Sequence, residues 1–408
     1  MSGILDVLVV GGGPVGACAA ALLARGTASD PEPLRVAVLE PKRPTLPAAS
    51  EPMDLRVVAL SRASERILDA AGAWSRIRGP RLAAYERMKV WHESVTPAQA
   101  LVFDAAESAE PNLGYIAENR LVQAALLDAV EASGVRIVSS GLTSLRVEDD
   151  FIEVETSQGA IRARLVVGAD GAQSPVRAAI GLTAEQSDYQ QTAIVAVVAT
   201  ERPHDSTAWQ CFLSSGTLAF LPLADGTSSI VWSADDAVAA ALLAATPEEF
   251  ARELDRASGG ALGVTRLVSE RASFPLRKLA AHRYVAHRCA LIGDAAHVVH
   301  PLAGQGVNLG LLDAAALAEL LIASHRERED AGALGVLRRY ERWRKSEVAV
   351  MSTAIDAFDR FLAHGAGPVS RLAQRGLGWV NRSQEIKRVF IARALGVSGE
   401  LPAIARSR

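Results

Sequence analysis

Cysteine is scarce in this chain. Cys18, Cys211 and Cys289 are its three cysteines in 408 residues, far apart and odd in number. With no CxxC pair among them, a disulfide framework, a dithiol redox centre and a cysteine-based zinc site are all excluded, and buried free thiols are expected. Aromatic residues make up 5% of the chain, and the tryptophans Trp74, Trp91, Trp209, Trp232, Trp343 and Trp379 stand apart. No run of eighteen apolar residues occurs, which by that rule excludes a membrane-spanning helix. Neither sign of charge dominates: the net charge is −3 with no basic stripe, which argues against nucleic acid as a partner. Met1 to Asp6 carry no positive charge, and the apolar run that follows enters glycines instead of a cleavage site. A cytoplasmic location is therefore expected.

Hydrophobic residues are plentiful, at 49%, and the length suits two interlocked domains. The run Asp6–Val10 enters Gly11-Gly-Gly-Pro-Val-Gly16 ahead of an alanine-rich helix, Ala17–Arg25. That strand, GxGxxG, helix order is the context a dinucleotide fingerprint requires: Gly11 for the turn, Gly13 for approach of a pyrophosphate, Gly16 for helix packing. A second strand, Leu34–Leu39, ends in Glu40, placed to bond ribose hydroxyls. Glu40 follows Gly11 by 29 positions, where about twenty are usual, and the polar insert Thr27–Pro33 accounts for the excess. An acid here favours a free 2′-hydroxyl and repels a 2′-phosphate, so FAD or NAD fits as resident nucleotide and NADP does not.

Two further strands deliver acids in the same way. Arg164–Asp170 is followed by Gly171 and a helix start, and Cys289–Asp294 ends in Gly-Asp. Buried parallel strands present ligand groups at their C-terminal ends, where Asp294 is placed to accept from a sugar hydroxyl. After it, Pro301, Gly304, Gln305, Gly306, Asn308 and Gly310 crowd into ten positions, a loop suited to lie flat against a ring, with a helix opening at about Val307. His297 braces this turn on our reading, because no other ligand-type residue stands at helical spacing to it, and no metal site is expected. Alternation in Arg87–Asp104, and in four segments between Ala193 and Ser233, predicts a second, antiparallel sheet walling a substrate cavity. Beyond it a helix near Pro247–Ala257 and a strand Ala272–Leu276 lead back to the Gly-Asp turn, and the chain after Asp313 reads as helical.

The stretch His300-Pro301-Leu302-Ala303-Gly304-Gln305-Gly306, with Asn308, Gly310 and Asp313, resembles the pattern of the flavin-dependent ubiquinone-biosynthesis hydroxylases. The order GxGxxG, Asp170-Gly171, Gly293-Asp294 is similar to that of the single-component aromatic-ring monooxygenases over essentially the whole chain. The resemblance implies an α/β fold in which a Rossmann-like FAD-binding domain of glutathione-reductase type is interleaved with a substrate domain on a mixed, largely antiparallel sheet, plus C-terminal helices. The expected FAD-binding segments are 1–80, 106–182 and 277–330, the substrate segments 81–105 and 183–276, and the helical region 331–408. It also implies that Arg56 reaches the pyrophosphate, that Arg120 at a helix start meets the flavin, with Asn119 as a helix cap the structural alternative, and that Asp170, Ser174 and Arg177 contact FAD or assist a pyridine nucleotide.

In the resembling enzymes reduced flavin adds O2 at C4a, and the hydroperoxide passes an oxygen to a phenol ring. The implied cosubstrates are O2 and NAD(P)H or another electron donor. The segment Pro301–Asn308 would stabilise flavin charge through backbone N–H groups, with the Pro301 carbonyl facing substrate, and Tyr189 or His300 is the candidate acceptor of the phenol proton. Met88–Trp91, Phe103-Asp104 and Leu113–Asn119 look most like the subgroup acting at ring position 5 of a polyprenylated phenol. Such a substrate would arrive from a membrane or a lipid-carrying partner, in a ubiquinone-biosynthesis assembly. For the tail 365–408 a helical cap is the plain reading, and self-association or contact with the inner membrane face the sharper ones. Other readings are a hydroxylase of a different aromatic molecule and a flavin-binding scaffold without turnover. A flavin halogenase is disfavoured because no WxWxIP stretch occurs.

Overall fold

Residues 3–108, 110–300, 305–358 and 399–406 are described by the structure, a computed structural model. The strand Leu5–Val10 is its centre, with Val7, Leu8 and Val9 wholly buried. Side chains buried on both faces are what a central parallel strand requires, and each such burial contributes about 1.5–3 kcal/mol. Val36–Leu39 lies parallel to it on one side and Gly159–Gly168 on the other, with Cys289–Leu291 parallel beyond that and Arg136–Val138 parallel beyond Val36–Leu39. The hairpin Leu142–Val147 and Ile152–Thr156 hangs from Gly159–Gly168, and the short strand Val285–Ala286, antiparallel to Cys289–Leu291, completes an eight-stranded sheet.

The second sheet has nine strands and carries the long strand Ala184–Thr200 at its middle, between Ala272–Ala281 and Ser228–Asp235. Its pairings are antiparallel except that Thr207–Leu213 runs parallel to Arg87–His92, a mixed contact made because the latter strand arrives from a distant part of the chain. Between Asp188 and Thr192 the register with Ala272–Ala281 slips and Gln190 takes φ +56°. This bulge turns Tyr189 onto His300.

A third, three-stranded antiparallel sheet, Val57–Ser61, Gly114–Glu118 and Ala83–Tyr85, packs against the nine-stranded sheet. It was not foreseen, because its strands are short and come from three separate segments. The helix Asp236–Ala244 was also missed.

Helix Pro14–Thr27 packs on Gln305–Arg326 through glycines: a Cβ on Gly310 would fall 2.5 Å from Val15 Cγ2. Gln305–Arg326 corrects one expectation, since by length and composition Gly306–Arg326 is apolar enough to cross a membrane. It is a core helix instead: Leu311, Ala314, Ala315, Leu317 and Leu321 are buried, and so is Asp313, with the helix packed against Pro14–Thr27 and Leu334–Phe358. The described end of the chain returns to this core, where Arg66 donates to the Ala405 carbonyl and Trp343 Nε1 to the Glu400 carbonyl.

Candidate active site

In the eight-stranded sheet the neighbours Cys289–Leu291, Gly159–Gly168, Leu5–Val10 and Val36–Leu39 are parallel, so their C-terminal ends share one edge. Along that edge lie, in order, Asp294, Asp170, the Gly11–Gly16 turn and Glu40. Three segments far apart in sequence thus converge on one nucleotide-sized edge.

The glycines of the turn divide their labour. Gly11 has φ +102°, and a side chain there would strike the Ala169 carbonyl, while a Cβ on Gly16 would fall 2.0 Å from the Gly11 carbonyl oxygen. Gly13 is the N-cap of Pro14–Thr27, and a Cβ there would meet nothing within 4 Å. No side chain caps this helix, so its first N–H groups face open space, a cradle suited to a pyrophosphate.

Glu40 braces the cradle, its Oε2 accepting from Gly12 N at 2.7 Å and its Oε1 from Lys42 N at 3.0 Å. Each oxygen keeps a lone pair for a ribose hydroxyl. Gln123, which nothing in the sequence marked, donates from Nε2 to the Gly12 carbonyl on the same loop.

Asp170 accepts from Val176 N and Ser174 Oγ. Burial nonetheless raises its carboxyl above the usual carboxylate value, against those bonds and the Arg177 charge. Ser174 and Arg177 face the framework: Ser174 caps Pro175–Ala179, and the buried Arg177 donates to the Ala295 and Ala172 carbonyls, tying the two acid-bearing turns together. Asp294 accepts no hydrogen bond among the described residues, and its side chain is reached by solvent. Desolvation raises its carboxyl, opposed by the charges of His297 and Arg56.

Behind Asp294 lies a buried ionic cluster. Asp313 accepts from Gly293 N at 3.0 Å, from His297 Nε2 at 2.5 Å and from Arg344 Nε at 2.8 Å. Burial would push the Asp313 carboxyl up, but His297 and Arg344 outweigh it and hold the group below the usual carboxylate range. His297 therefore braces the turn, and among the described residues no metal-binding cluster occurs.

A cavity of about 580 Å³ opens between the three-stranded sheet and one face of the nine-stranded sheet. Its wall is largely apolar, with Tyr85, Ile116, Leu221, Val231 and Phe274 among its members, and its charged members are Asp54 and Arg56. Arg56, one of those members, also acts through its charge on the Asp294 carboxyl, which links this wall to the edge that carries Asp294. Burial pushes the Tyr85 phenol up to about 12, which keeps it neutral. A groove of similar size between Asp236–Ala244 and Pro247–Ala257 is carried on helices and remote from this edge.

The remaining expected site residues are placed unevenly. The amide of Asn308 turns into the protein, Oδ1 accepting from Ser61 N and Ser64 Oγ and Nδ2 donating to the Ala59 carbonyl, so it staples a helix to the small sheet. Arg120 stands at the start of Asn119–Ala132, paired with Glu51 and with a buried Nε that has no partner among the described residues. The cap of that helix is Glu118, not Asn119. The buried pair of Arg81 with Glu118, at 2.6 Å, was missed: Arg81 also donates to the Ala48, Glu51 and Pro52 carbonyls and fixes the proline-rich loop beside Arg120. Tyr189 packs edge-on against His300 with ring centroids 4.8 Å apart, and His300 Nε2 lies 3.1 Å from Gln191 Oε1. Neither ring is among the described members of the cavity wall. The helix is present from Gln305, and a Cβ on Gly306 would meet open space. Pro301 and Gly304, and most of the tail 365–408, lie outside the described residues.

Residues 4–353 match the family described as FAD binding domain. Among solved structures the fold is similar to p-nitrophenol 4-monooxygenase PnpA of Pseudomonas putida, with TM-score 0.74 and 21% identity over 98% of this chain and all of that one. A flavin edge joined to an apolar cavity is the plan of the FAD-dependent aromatic hydroxylases, the class to which this enzyme belongs. Ubiquinone hydroxylase UbiL of Rhodospirillum rubrum is 38% identical over 96% of this chain and 90% of its own length. The 3-demethoxyubiquinol 3-hydroxylase of Escherichia coli is 35% identical over 96% and 98%, and the human mitochondrial ubiquinone biosynthesis monooxygenase COQ6 32% over 95% and 92%. The chain belongs to this family of FAD-dependent ubiquinone-biosynthesis hydroxylases.

Proposed function

We propose that this enzyme hydroxylates the aromatic ring of a polyprenylated phenol in ubiquinone biosynthesis, using O2 and NAD(P)H or another electron donor. The observation that carries this reading is the largely apolar cavity whose charged members are Asp54 and Arg56, Arg56 also acting through its charge on Asp294 at the sheet edge. Its volume lies within the roughly 300–1,000 Å³ usual for small-molecule sites. Phe274, 45% exposed, stands in its wall, where an apolar tail could leave the protein. Such a tail calls for delivery from a membrane or a lipid-carrying partner.

Reduced FAD supplies the activation of O2 for which the side chains here have no substitute. The chain's own part is to bind and to exclude water. The start of Pro14–Thr27 holds the pyrophosphate, Glu40 and Asp294 accept from sugar hydroxyls, Arg56 and Arg120 add positive charge, and the cavity wall keeps the ring dry. The acid at Glu40 suits the adenosine of FAD, so the reductant binds transiently elsewhere. For the Tyr189–His300 pair to take up the phenol proton, a bridging group is needed, since neither ring is in the described wall.

The test uses purified holoenzyme, detergent-solubilised prenylphenol, NADH or NADPH, and O2. Reductant oxidation stimulated by substrate, with a product heavier by one oxygen, is expected. Hydroxylation of short phenols alone would remove the prenyl reading. FAD retention without any substrate-stimulated O2 uptake would favour the non-catalytic scaffold. Mass spectrometry of the precursor that accumulates on gene deletion checks the ring position.

A further inference from the structure

Adjacent strands of the cavity wall carry Gln210, Thr217 and Ser233. Thr217 lies directly opposite both Phe212 and Ser233, and Gln210 is two residues from Phe212, so the three side chains share the sheet face that lines the cavity. Around them that face is apolar: Ala208, Ala219, Leu221, Val231 and Val195. All three polar residues are at least nine-tenths buried, with Thr217 6%, Ser233 4% and Gln210 6% exposed.

Buried polar groups normally find partners. Here Thr217 Oγ1 has none among the described residues. Valine would fill the same space in a strand without that cost, so the hydroxyl calls for a ligand atom. The charged members of the wall, Asp54 and Arg56, belong to the segment that opens the small sheet, on a different element from the patch. A ligand group meeting the patch is therefore neutral, and a ring carboxylate would find no cation there.

We infer that Gln210, Thr217 and Ser233 form an uncharged hydrogen-bonding patch that recognises a neutral oxygen substituent, methoxyl or hydroxyl, on the substrate ring, and so sets which oxidation level of the ring is accepted. This rests on the cavity being the phenol site. The amide and hydroxyls can each donate, as an ether oxygen requires, and can each accept, as a second phenol requires. The patch positions the ring and takes no part in bond making.

The experiment measures dissociation constants from the perturbation of flavin absorbance in oxidised holoenzyme. The probes are 2-prenylphenol, 2-methoxy-6-prenylphenol and 4-hydroxy-3-prenylbenzoate. Thr217→Val and Gln210→Leu are each expected to weaken the methoxylated ring about tenfold while changing 2-prenylphenol less than about twofold, since one buried hydrogen bond separates the two probes. Ser233→Ala should act in the same direction, and the benzoate should bind wild type far more weakly than either neutral ring. Because an unpaired hydroxyl is removed, Thr217→Val should melt no lower than wild type when unliganded. Equal weakening of both neutral rings, no weakening of either, or a marked loss of unliganded stability in Thr217→Val would overturn the patch. If wild type binds neither neutral prenylphenol, the substrate reading fails, and the patch with it.

Discussion

Asp313→Asn removes one charge from the buried cluster behind the flavin edge and leaves the side chain's shape. Arg344, 1% exposed, then keeps a guanidinium whose Nη2 already has no partner among the described residues, and His297 loses its carboxylate. Breaking a buried ion pair by removing one partner costs about 3–5 kcal/mol. At roughly 2 °C per kcal/mol for a chain of this size, the melting temperature should fall by about 6–10 °C. The loss should also reach the cofactor, because Asp313 holds Gly293 N and so the backbone that aims Asp294. FAD should dissociate more readily, which release of flavin fluorescence on titration with buffer or urea measures. The acid limb gives an independent reading. A carboxyl held below its usual value contributes stability above its unfolded pKa of about 3.9, and this is lost as pH falls through the folded value. Wild type should therefore lose stability in that window and Asp313→Asn should show a flatter slope. A variant that melts within about 1 °C of wild type and holds FAD equally well would refute the bracing role.

The two glycines of the turn should separate folding from binding. Gly13→Ala should give a protein of normal melting temperature that binds FAD weakly, whereas Gly16→Ala should lose about 1–3 kcal/mol of stability or more, because its Cβ collides with the Gly11 carbonyl. Arg81→Met leaves Glu118 buried and unpaired and should cost about 3–5 kcal/mol, with faster proteolysis of the loop 47–54 as a local readout. For Asp294 the linkage has the opposite sign to Asp313: its raised folded value contributes stability below the unfolded pKa that is lost as pH rises through the folded one. Asp294→Asn should accordingly leave the flavin-free protein as stable as wild type or more so at neutral pH, while weakening FAD binding by roughly tenfold through the lost charge-assisted hydrogen bond. Calorimetry of the flavin-free protein and FAD titration check both halves.

Much of the nucleotide edge was legible in the chain itself. A strand buried on both faces must be apolar throughout, a turn at φ +102° beside a carbonyl needs glycine, and an acid at a strand end appears in sequence as one charge after an apolar run. Glu40, Asp170 and Asp294 declare themselves in that way because their causes are local. The parallel order of their strands, which sets them along one edge, follows only from pairings between distant segments, two of them spanning more than a hundred residues. So do the features that sequence could not carry. That the Asn308 amide staples a helix to the small sheet was not legible, because its partners Ser61 and Ser64 lie some 250 positions away. Asp313 showed one sign, a charge within an apolar helix, but Arg344 and His297 reach it through three-dimensional packing alone. Gln210, Thr217 and Ser233 sit in ordinary strand patterns; the cavity they face exists because a small sheet from three separate segments closes over them. Local backbone chemistry determined the cofactor class, and tertiary convergence alone decided the shape and polarity of the space offered to the substrate.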